Sequence, residues 1–127
     1  MIEKLKQSET LKRLVRITPL YRLFLIRQYL KEVKVWESRG CAVPVPHLIK
    51  QRTIIECAEK YGLRVLVETG TYYGAMIEAM KDSFDLIYSI ELDRYLYERA
   101  KERFTSARNV EIIHGDSGVE LKKVVKR

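Results

Sequence analysis

Residues 64–74 read RVLVETGTYYG, and this segment is the clearest indication of the fold class. The apolar, β-branched run that ends at Glu68 is typical of a buried parallel strand. Gly70 would let the chain turn sharply out of that strand and let a ligand lie against bare backbone. Gly74 would let the next helix, predicted over about residues 73–82, approach the sheet with its N–H groups facing a ligand. A strand, a glycine turn and a helix together begin a βαβ unit.

The same pattern continues downstream. Residues 85–91 (DLIYSIE) predict a second strand, and Asp93 can cap the helix that follows it. Residues 110–114 (VEIIH) predict a third strand, and either Asp116 or Ser117 could cap the last helix. Three strands joined by helical crossovers predict right-handed βαβ units and a parallel sheet. The predicted fold class is α/β, with N-terminal helices followed by a partial Rossmann-like, three-stranded parallel sheet.

The part of the chain before this sheet reads as helical. Thr18 and Pro19 are typical of an N-cap followed by the first residue of a helix, which we expect to continue to about residue 36. An extended link is predicted at residues 38–46, and a further helix at residues 47–61, which Gly62 would end. We therefore expect a basic helical extension at residues 1–46 and the partial Rossmann-like domain at residues 47–127.

Charge separates the two parts. The chain has a net charge of +7, but residues 1–52 carry +8 and residues 53–127 carry −1. Attraction to an acidic surface therefore belongs to the N-terminal part. Two interpretations stand for it: peripheral contact with anionic lipid, or a helical layer with solvated lysines and arginines. No nucleic-acid partner is expected, because no aromatic-interleaved basic stripe or known nucleic-acid motif is present.

Composition excludes several classes of protein. The stretches free of charge are too short to span a bilayer, and the N-terminal residues MIEKLKQSET do not form a secretory signal. Cys41 and Cys57 are expected to be reduced thiols in a cytoplasmic protein. No cysteine and histidine spacing of a zinc site is present, so no metal is expected.

The candidate site lies at the carboxyl ends of the three strands, where open α/β sheets bind ligands. Glu91 follows Gly70 by 21 residues and ends the adjacent strand, a spacing that suits a carboxylate accepting both hydroxyls of a ribose. Asp116, after the third strand, could accept a hydrogen bond from an adenine amine. Tyr72 argues against a dinucleotide, which favours glycine at that position. A phosphate-binding G-K-[ST] is absent as well.

The spacing E-x-G-x-x-x-G at residues 68–74 resembles motif I of class I, S-adenosylmethionine-dependent methyltransferases, with Tyr72 where many of them have a glycine. Residues 47–121 resemble one bacterial group of these enzymes, through the runs VETGTYYGAM, YSIELD, RAKERF and HGDSGVEL. The N-terminal TPLYRLFLIR and VPVPHLIK fit the same group. Some of its relatives act in polysaccharide and natural-product pathways, so the acceptor implied is a small molecule or a glycan.

The resemblance implies an enzyme with S-adenosylmethionine as its cofactor. It places Glu68 and Gly70 beside the methionine part, Glu91 on the ribose and Asp116 near the adenine. The expected cofactor-binding residues are Glu68, Gly70, Thr71, Tyr72, Gly74, Glu91, Asp116 and Ser117. No residue is assigned as a catalytic base. His114 and His47 are expected to be a strand-end residue bonded to backbone and a helix-start residue.

The family's sheet has seven strands, whereas this sequence predicts three. The fourth-strand motif that lies beside the methyl group is missing, so the chain is expected to be truncated or a fragment. The first strand would then present an uncovered edge, and such edges pair with other chains. A homodimer through that edge is one expectation. The alternative function is a non-catalytic adenosine-ligand module, or a fold remnant that acts through oligomerisation.

Overall fold

A computed structural model describes residues 19–126 of the 127-residue chain, apart from the side chain of Arg22. Its elements are α1 (Pro19–Ser38), α2 (His47–Tyr61), β1 (Val65–Thr69), α3 (Ala75–Met80), β2 (Leu86–Glu91), α4 (Arg94–Arg103), β3 (Val110–His114) and α5 (Ser117–Val124). The described residues fall into two compact units that meet between Lys50 and Gln51, within α2. The domain boundary expected between residues 46 and 47 stays a prediction.

The second unit contains the expected α/β sheet. Its described strands are parallel and lie in the order β1-β2-β3. Val67 lies opposite Tyr88, and Tyr88 lies opposite Glu111, so the three strands are in close register. This register brings the three carboxyl ends to one edge of the sheet. The fold class predicted from the sequence is confirmed.

Several elements differ in their bounds from the prediction. β2 begins at Leu86 rather than at residue 85, and α1 ends at Ser38 rather than near residue 36. β1 begins and ends one residue later, at Val65 and Thr69, and α3 begins at Ala75 rather than near residue 73. The reason for the later start is local, because Tyr72 and Gly74 have φ values of 50° and 73°. Backbone in this left-handed region cannot continue a right-handed helix. The helical conformation therefore starts only after Gly74.

The core of this unit packs on one face of the middle strand. Its buried residues come from α3, β2, α4 and the turns between them: Ile77, Met80, Phe84, Ile87, Ala100 and Phe104. Ile87 is fully buried, and its neighbours at every second position along β2 are Ser89 and Glu91. Because side chains alternate along a strand, both polar residues share the face of the core. The site therefore begins where the apolar core ends.

The predicted caps of α4 and α5 and the predicted end of α2 are confirmed. Asp93 caps α4 by accepting a hydrogen bond from the Leu96 N–H at 2.9 Å, and Asp116 caps α5 through the Gly118 N–H at 2.8 Å. Gly62 follows α2 with a φ of 65°, as an αL residue that ends a helix. Thr18 and the segment before it lie outside the described residues.

In the first unit, α1 exposes much of its apolar surface. Leu23, Ile26 and Leu30 are each about half exposed, and they recur at helical spacing on one stripe. At the end of the helix, the Trp36 indole N–H donates to the Ala42 carbonyl at 2.6 Å and fixes the turn into the link. Between residues 19 and 126, no helix combines the length and the apolar character needed to cross a membrane.

Candidate functional site

An open cleft of about 280 Å³ lies where the turns after the three strands meet. It is lined by Thr69, Gly70, Ile90, Glu91, Leu92, Gly115, Asp116 and Ser117. Two backbone hydrogen bonds join the turns to the middle strand: Gly70 N–H to the Ile90 carbonyl at 2.8 Å, and Gly115 N–H to the Glu91 carbonyl at 3.0 Å. The ladder of the sheet thus extends into the cleft walls and fixes their spacing.

Glu91, at the tip of the middle strand, is the best-fixed carboxylate of the cleft. Its side chain is only 6% exposed. One carboxylate oxygen accepts from the Tyr72 N–H at 2.8 Å and the other from the Asp93 N–H at 2.9 Å. The carboxylate therefore joins the turn after β1 to the turn after β2. Each oxygen has a second lone pair, so both can still accept a hydrogen bond from a ligand hydroxyl.

Asp116 and Ser117 form the wall that follows β3. Asp116 is exposed, and one of its oxygens is engaged by the Gly118 N–H in capping α5. Its position in the cleft lining leaves the carboxylate able to accept from a ligand amine as well. The predicted site residues Gly70, Glu91, Asp116 and Ser117 are therefore brought together in one cleft.

Glu68 and Thr71 do not line the cleft but meet beside it through a third residue, Ser89. The Ser89 hydroxyl lies 2.6 Å from a Glu68 carboxylate oxygen and 2.7 Å from the Thr71 hydroxyl. Burial raises the pKa of the Glu68 carboxyl above its usual range, although the Ser89 hydrogen bond opposes this, and the nearby charge of Glu91 raises it further. The side chain of Ser89 is fully buried.

Within residues 19–126 these carboxylates have no cationic partner. In the part of the chain that the structure describes, no ion pair involves Glu68, Glu91 or Asp116. Their donors are backbone N–H groups and a serine hydroxyl, which orient a carboxylate without neutralising it. The cleft therefore presents negative charge, and within residues 19–126 no cluster of three possible metal ligands is present to bind a cation.

Tyr72 and Gly74 occupy other places in the first turn. Tyr72 is 64% exposed, and its ring lies edge-on to that of Tyr73, with centroids 4.2 Å apart. A Cβ added at Gly74 would lie 2.5 Å from Cε2 of Phe104, so glycine is required there for close packing as well as for its φ of 73°. The side chain that leaves no room for a Cβ at position 74 is that of Phe104, which follows the end of α4.

Both histidines have the structural places expected of them. The Nε2–H group of His114 donates a hydrogen bond to the Leu92 carbonyl at 3.1 Å. The imidazole ring packs beside the ring of Tyr97. His47 is the first residue of α2, near the ring of Tyr29. Neither histidine lines the cleft.

Ser89 and Gly115 belong to the runs YSIELD and HGDSGVEL, but the sequence did not predict them as site residues. Ser89 is a polar residue inside a buried strand, a signal that a hydrogen-bond partner must lie nearby. Gly115 has a φ of 156°, and an added Cβ would lie 2.7 Å from Cγ of Glu120. The third turn thus lies close to the side chain of Glu120, a residue five positions later, and this closeness disfavours a side chain at position 115.

A second, larger hollow of about 380 Å³ lies at the amino end of the sheet. Its lining includes Leu63, Arg64 and Phe84. There Arg64 makes two hydrogen bonds to the Asp85 carboxylate, at 2.7 and 2.8 Å. The charges of Arg64 and Asp85 are thus paired with each other. Because open α/β sheets bind ligands at the carboxyl ends of their strands, we assign the site to the smaller cleft.

Comparisons with known proteins agree with this architecture. No family model matches the chain. Over 65 residues the chain is 37% identical to the ribosomal RNA small subunit methyltransferase A of Acidobacterium capsulatum, a match that covers 51% of this chain and 23% of that relative. The chain thus spans less than a quarter of the length of this curated relative.

Two solved structures are similar in fold. One is a proposed caffeoyl-CoA O-methyltransferase from Staphylococcus aureus, with a TM-score of 0.55, 18% identity, and coverage of 83% of this chain and 55% of that one. The other is a proposed O-methyltransferase from Klebsiella pneumoniae, with a TM-score of 0.53, 16% identity, and coverage of 80% and 52%. The chain therefore has the Rossmann-like α/β fold seen in about half of each of these two structures.

Proposed function

We propose that this chain binds S-adenosylmethionine in the carboxyl-end cleft and is the cofactor-binding portion of an S-adenosylmethionine-dependent methyltransferase. The observation that carries the proposal is Glu91, whose buried carboxylate is fixed by two backbone N–H groups at the tip of the middle strand. Its position suits the two hydroxyls of a ribose. The relative from Acidobacterium capsulatum, a methyltransferase by name, supports the choice of cofactor.

The remaining residues would each hold a different part of the cofactor. Asp116 and Ser117 lie where an adenine would sit, and Gly70 leaves bare backbone beside the ribose and the methionine chain. Glu68, with Thr71 and Ser89 beside it, is assigned to the cationic methionine part. The bound cofactor would supply an electrophilic methyl group on its sulfonium. What these residues do is bind and orient it, since catalysis by positioning needs no base from this part of the chain.

Charge supports S-adenosylmethionine over a dinucleotide. The cleft presents carboxylates that no cation neutralises within the described residues, and a diphosphate would be repelled by them. A sulfonium and an ammonium would instead be attracted. Tyr72, at the place where a dinucleotide site favours glycine, points to the same choice.

For the acceptor, we propose a small molecule or a glycan, from the resemblance in sequence. RNA is the second candidate, because the similar protein from Acidobacterium capsulatum is named as a ribosomal RNA methyltransferase. This finding weighs against the expectation that no nucleic acid is involved, and the net charge of +8 in residues 1–52 suits a polyanion. Transfer of a radiolabelled methyl group to ribosomal subunits, but not to sugar nucleotides or glycans, would establish RNA and overturn the first choice.

Two further partners are proposed. In the described residues β1 pairs only with β2, so its other edge could pair with a second copy. A monomer mass in light scattering throughout the micromolar range would contradict this.

The basic first unit, which exposes Leu23, Ile26 and Leu30, could contact anionic lipid. Co-sedimentation with liposomes that does not depend on their anionic content would exclude that contact.

The alternative function is a non-catalytic module or a fold remnant. Calorimetry with S-adenosylmethionine, S-adenosylhomocysteine and NAD separates the hypotheses. We expect the first two to bind and NAD not to bind, and we expect Glu91→Ala to abolish binding while the protein stays folded. At 100 times its dissociation constant, a ligand raises stability by about 2.7 kcal/mol, so thermal unfolding provides a check. Folded protein that binds neither adenosyl ligand would overturn the proposal and favour the remnant.

A further inference from the structure

Two buried hydroxyls lie behind the cleft and connect its first turn to its middle strand. Thr71 is 3% exposed and Ser89 is fully buried. The Thr71 hydroxyl lies 2.7 Å from that of Ser89, which in turn lies 2.6 Å from a Glu68 carboxylate oxygen. Buried polar side chains need partners, and here each hydroxyl has the next group in the chain as its partner.

The direction of these hydrogen bonds is set by the charge of Glu68. An ionised carboxylate only accepts, so the single hydroxyl proton of Ser89 points to Glu68. Ser89 must then accept from Thr71, and the order of donation is Thr71 to Ser89 to Glu68. If Glu68 is protonated, this order is no longer required, because the carboxyl group has become a donor itself. A hydrogen bond to an ionised carboxylate is stronger than one to a neutral carboxyl group, so donation from Ser89 favours the ionised form.

The same three residues also tie together the parts of the site. Thr71 follows Gly70, which lines the cleft, while Ser89 precedes Ile90 and Glu91 on the middle strand. The charged group that acts on Glu68 is Glu91 on β2, and it opposes ionisation. Burial raises the pKa of Glu68 more than Glu91 does, and the hydrogen bond from Ser89 opposes both effects.

We propose that Ser89 and Thr71 are positioning residues, which hold the Glu68 carboxylate ionised and directed toward the cationic amino-acid end of the cofactor. The inference rests on the proposed function and extends it to two residues that do not line the cleft. Its consequence is that these hydroxyls affect ligands that carry the cationic methionine part and leave ligands that lack it unaffected.

The test compares S-adenosylmethionine with 5′-methylthioadenosine, which has the same adenosine but no ammonium and no sulfonium. Dissociation constants of both are measured by calorimetry from pH 4.5 to 7. In the wild-type protein we expect only the S-adenosylmethionine affinity to rise with pH. Ser89→Ala should move this rise in affinity to higher pH. Within the pH range of the rise, the variant should bind S-adenosylmethionine about tenfold more weakly than the wild type. The affinity for 5′-methylthioadenosine should not change.

Two variants make the result specific. Thr71→Val keeps the shape of the side chain but removes the donor to Ser89, and we expect a smaller shift in the same direction. In a Glu68→Gln background, Ser89→Ala should no longer alter the ratio of the two affinities, because the group that it positions has lost its charge. If Ser89→Ala fails to fold, Thr71→Val carries the comparison.

The outcomes separate this inference from the proposed function. If S-adenosylmethionine binds but the ratio and its pH profile are the same in the wild type, Ser89→Ala and Thr71→Val, the hydroxyls are structural only and the inference is wrong. If folded wild-type protein binds neither ligand, the proposed function fails, and this inference fails with it.

Discussion

The two ends of the sheet differ in the partners of their charged side chains. At the amino end, Arg64 and Asp85 form a two-bond ion pair beside the larger hollow. At the carboxyl end, Glu68 is partly buried and Glu91 is buried, and their donors within residues 19–126 are neutral. Burying a carboxylate without a cation costs free energy. The proposed site therefore lies at the end with buried carboxylates that are not neutralised within the described residues, and not at the end with the larger hollow.

The largest effect is expected from a substitution in the turn after β1. Gly74→Ala should lower the free energy of unfolding by about 3 kcal/mol, because the new Cβ would meet the Phe104 ring at 2.5 Å in a left-handed backbone. Gly70→Ala is the matched control, since its φ is 84° but an added Cβ meets nothing within 4 Å. The control should lose only about 1 kcal/mol. Equal losses in urea unfolding would show that packing against Phe104 contributes nothing.

The next largest effect is expected when the carboxylate that joins two turns is removed. Glu91→Ala should cost about 2 kcal/mol of unfolding free energy, because the Tyr72 and Asp93 N–H groups lose a charged acceptor. Glu91→Gln should cost about half as much, because its amide keeps one acceptor oxygen. Thermal unfolding of both variants checks this order. A Gln variant less stable than the Ala variant would contradict it.

A smaller effect is expected in the pH dependence of stability, through Glu68. Glu68 has a raised pKa in the folded protein, so its contribution to stability is full below its ordinary value of 4.5 and is lost as pH rises through the raised value. Glu68→Gln should therefore be the more stable protein at pH 7, and its stability should vary less with pH from 4.5 upward. Melting temperatures at a series of pH values measure this. A wild type that gains stability over the Gln variant as pH rises would reverse the sign.

The smallest effect lies at the amino end. Arg64→Ala should lower the melting temperature only slightly, because both partners of its ion pair are exposed to water. The loss should shrink further in 1 M salt, which screens exposed charges. Arg52→Ala, which removes an exposed pair within α2, is the control. A loss at Arg64 that exceeds that of Glu91→Ala would remove the contrast between the two ends.

Features set by neighbouring residues could be predicted from the sequence, and features set across the sheet could not. Local hydrogen bonds make Asp93 and Asp116 helix caps, so a short pattern predicts them. The partners of Glu91 come from two different turns, and the contact of Ser89 with Glu68 depends on the register of β1 against β2. These partners lie up to 21 residues apart, beyond what a local pattern encodes.

The assignment of the site to the carboxyl end is tested most directly by following backbone amide shifts during titration with S-adenosylhomocysteine. We expect the largest changes at Gly70, Leu92 and Gly115, which line the smaller cleft. We expect little change at Gly62 and Leu63, which line the larger hollow. Changes confined to Gly62 and Leu63 would contradict this assignment and place the ligand in the larger hollow.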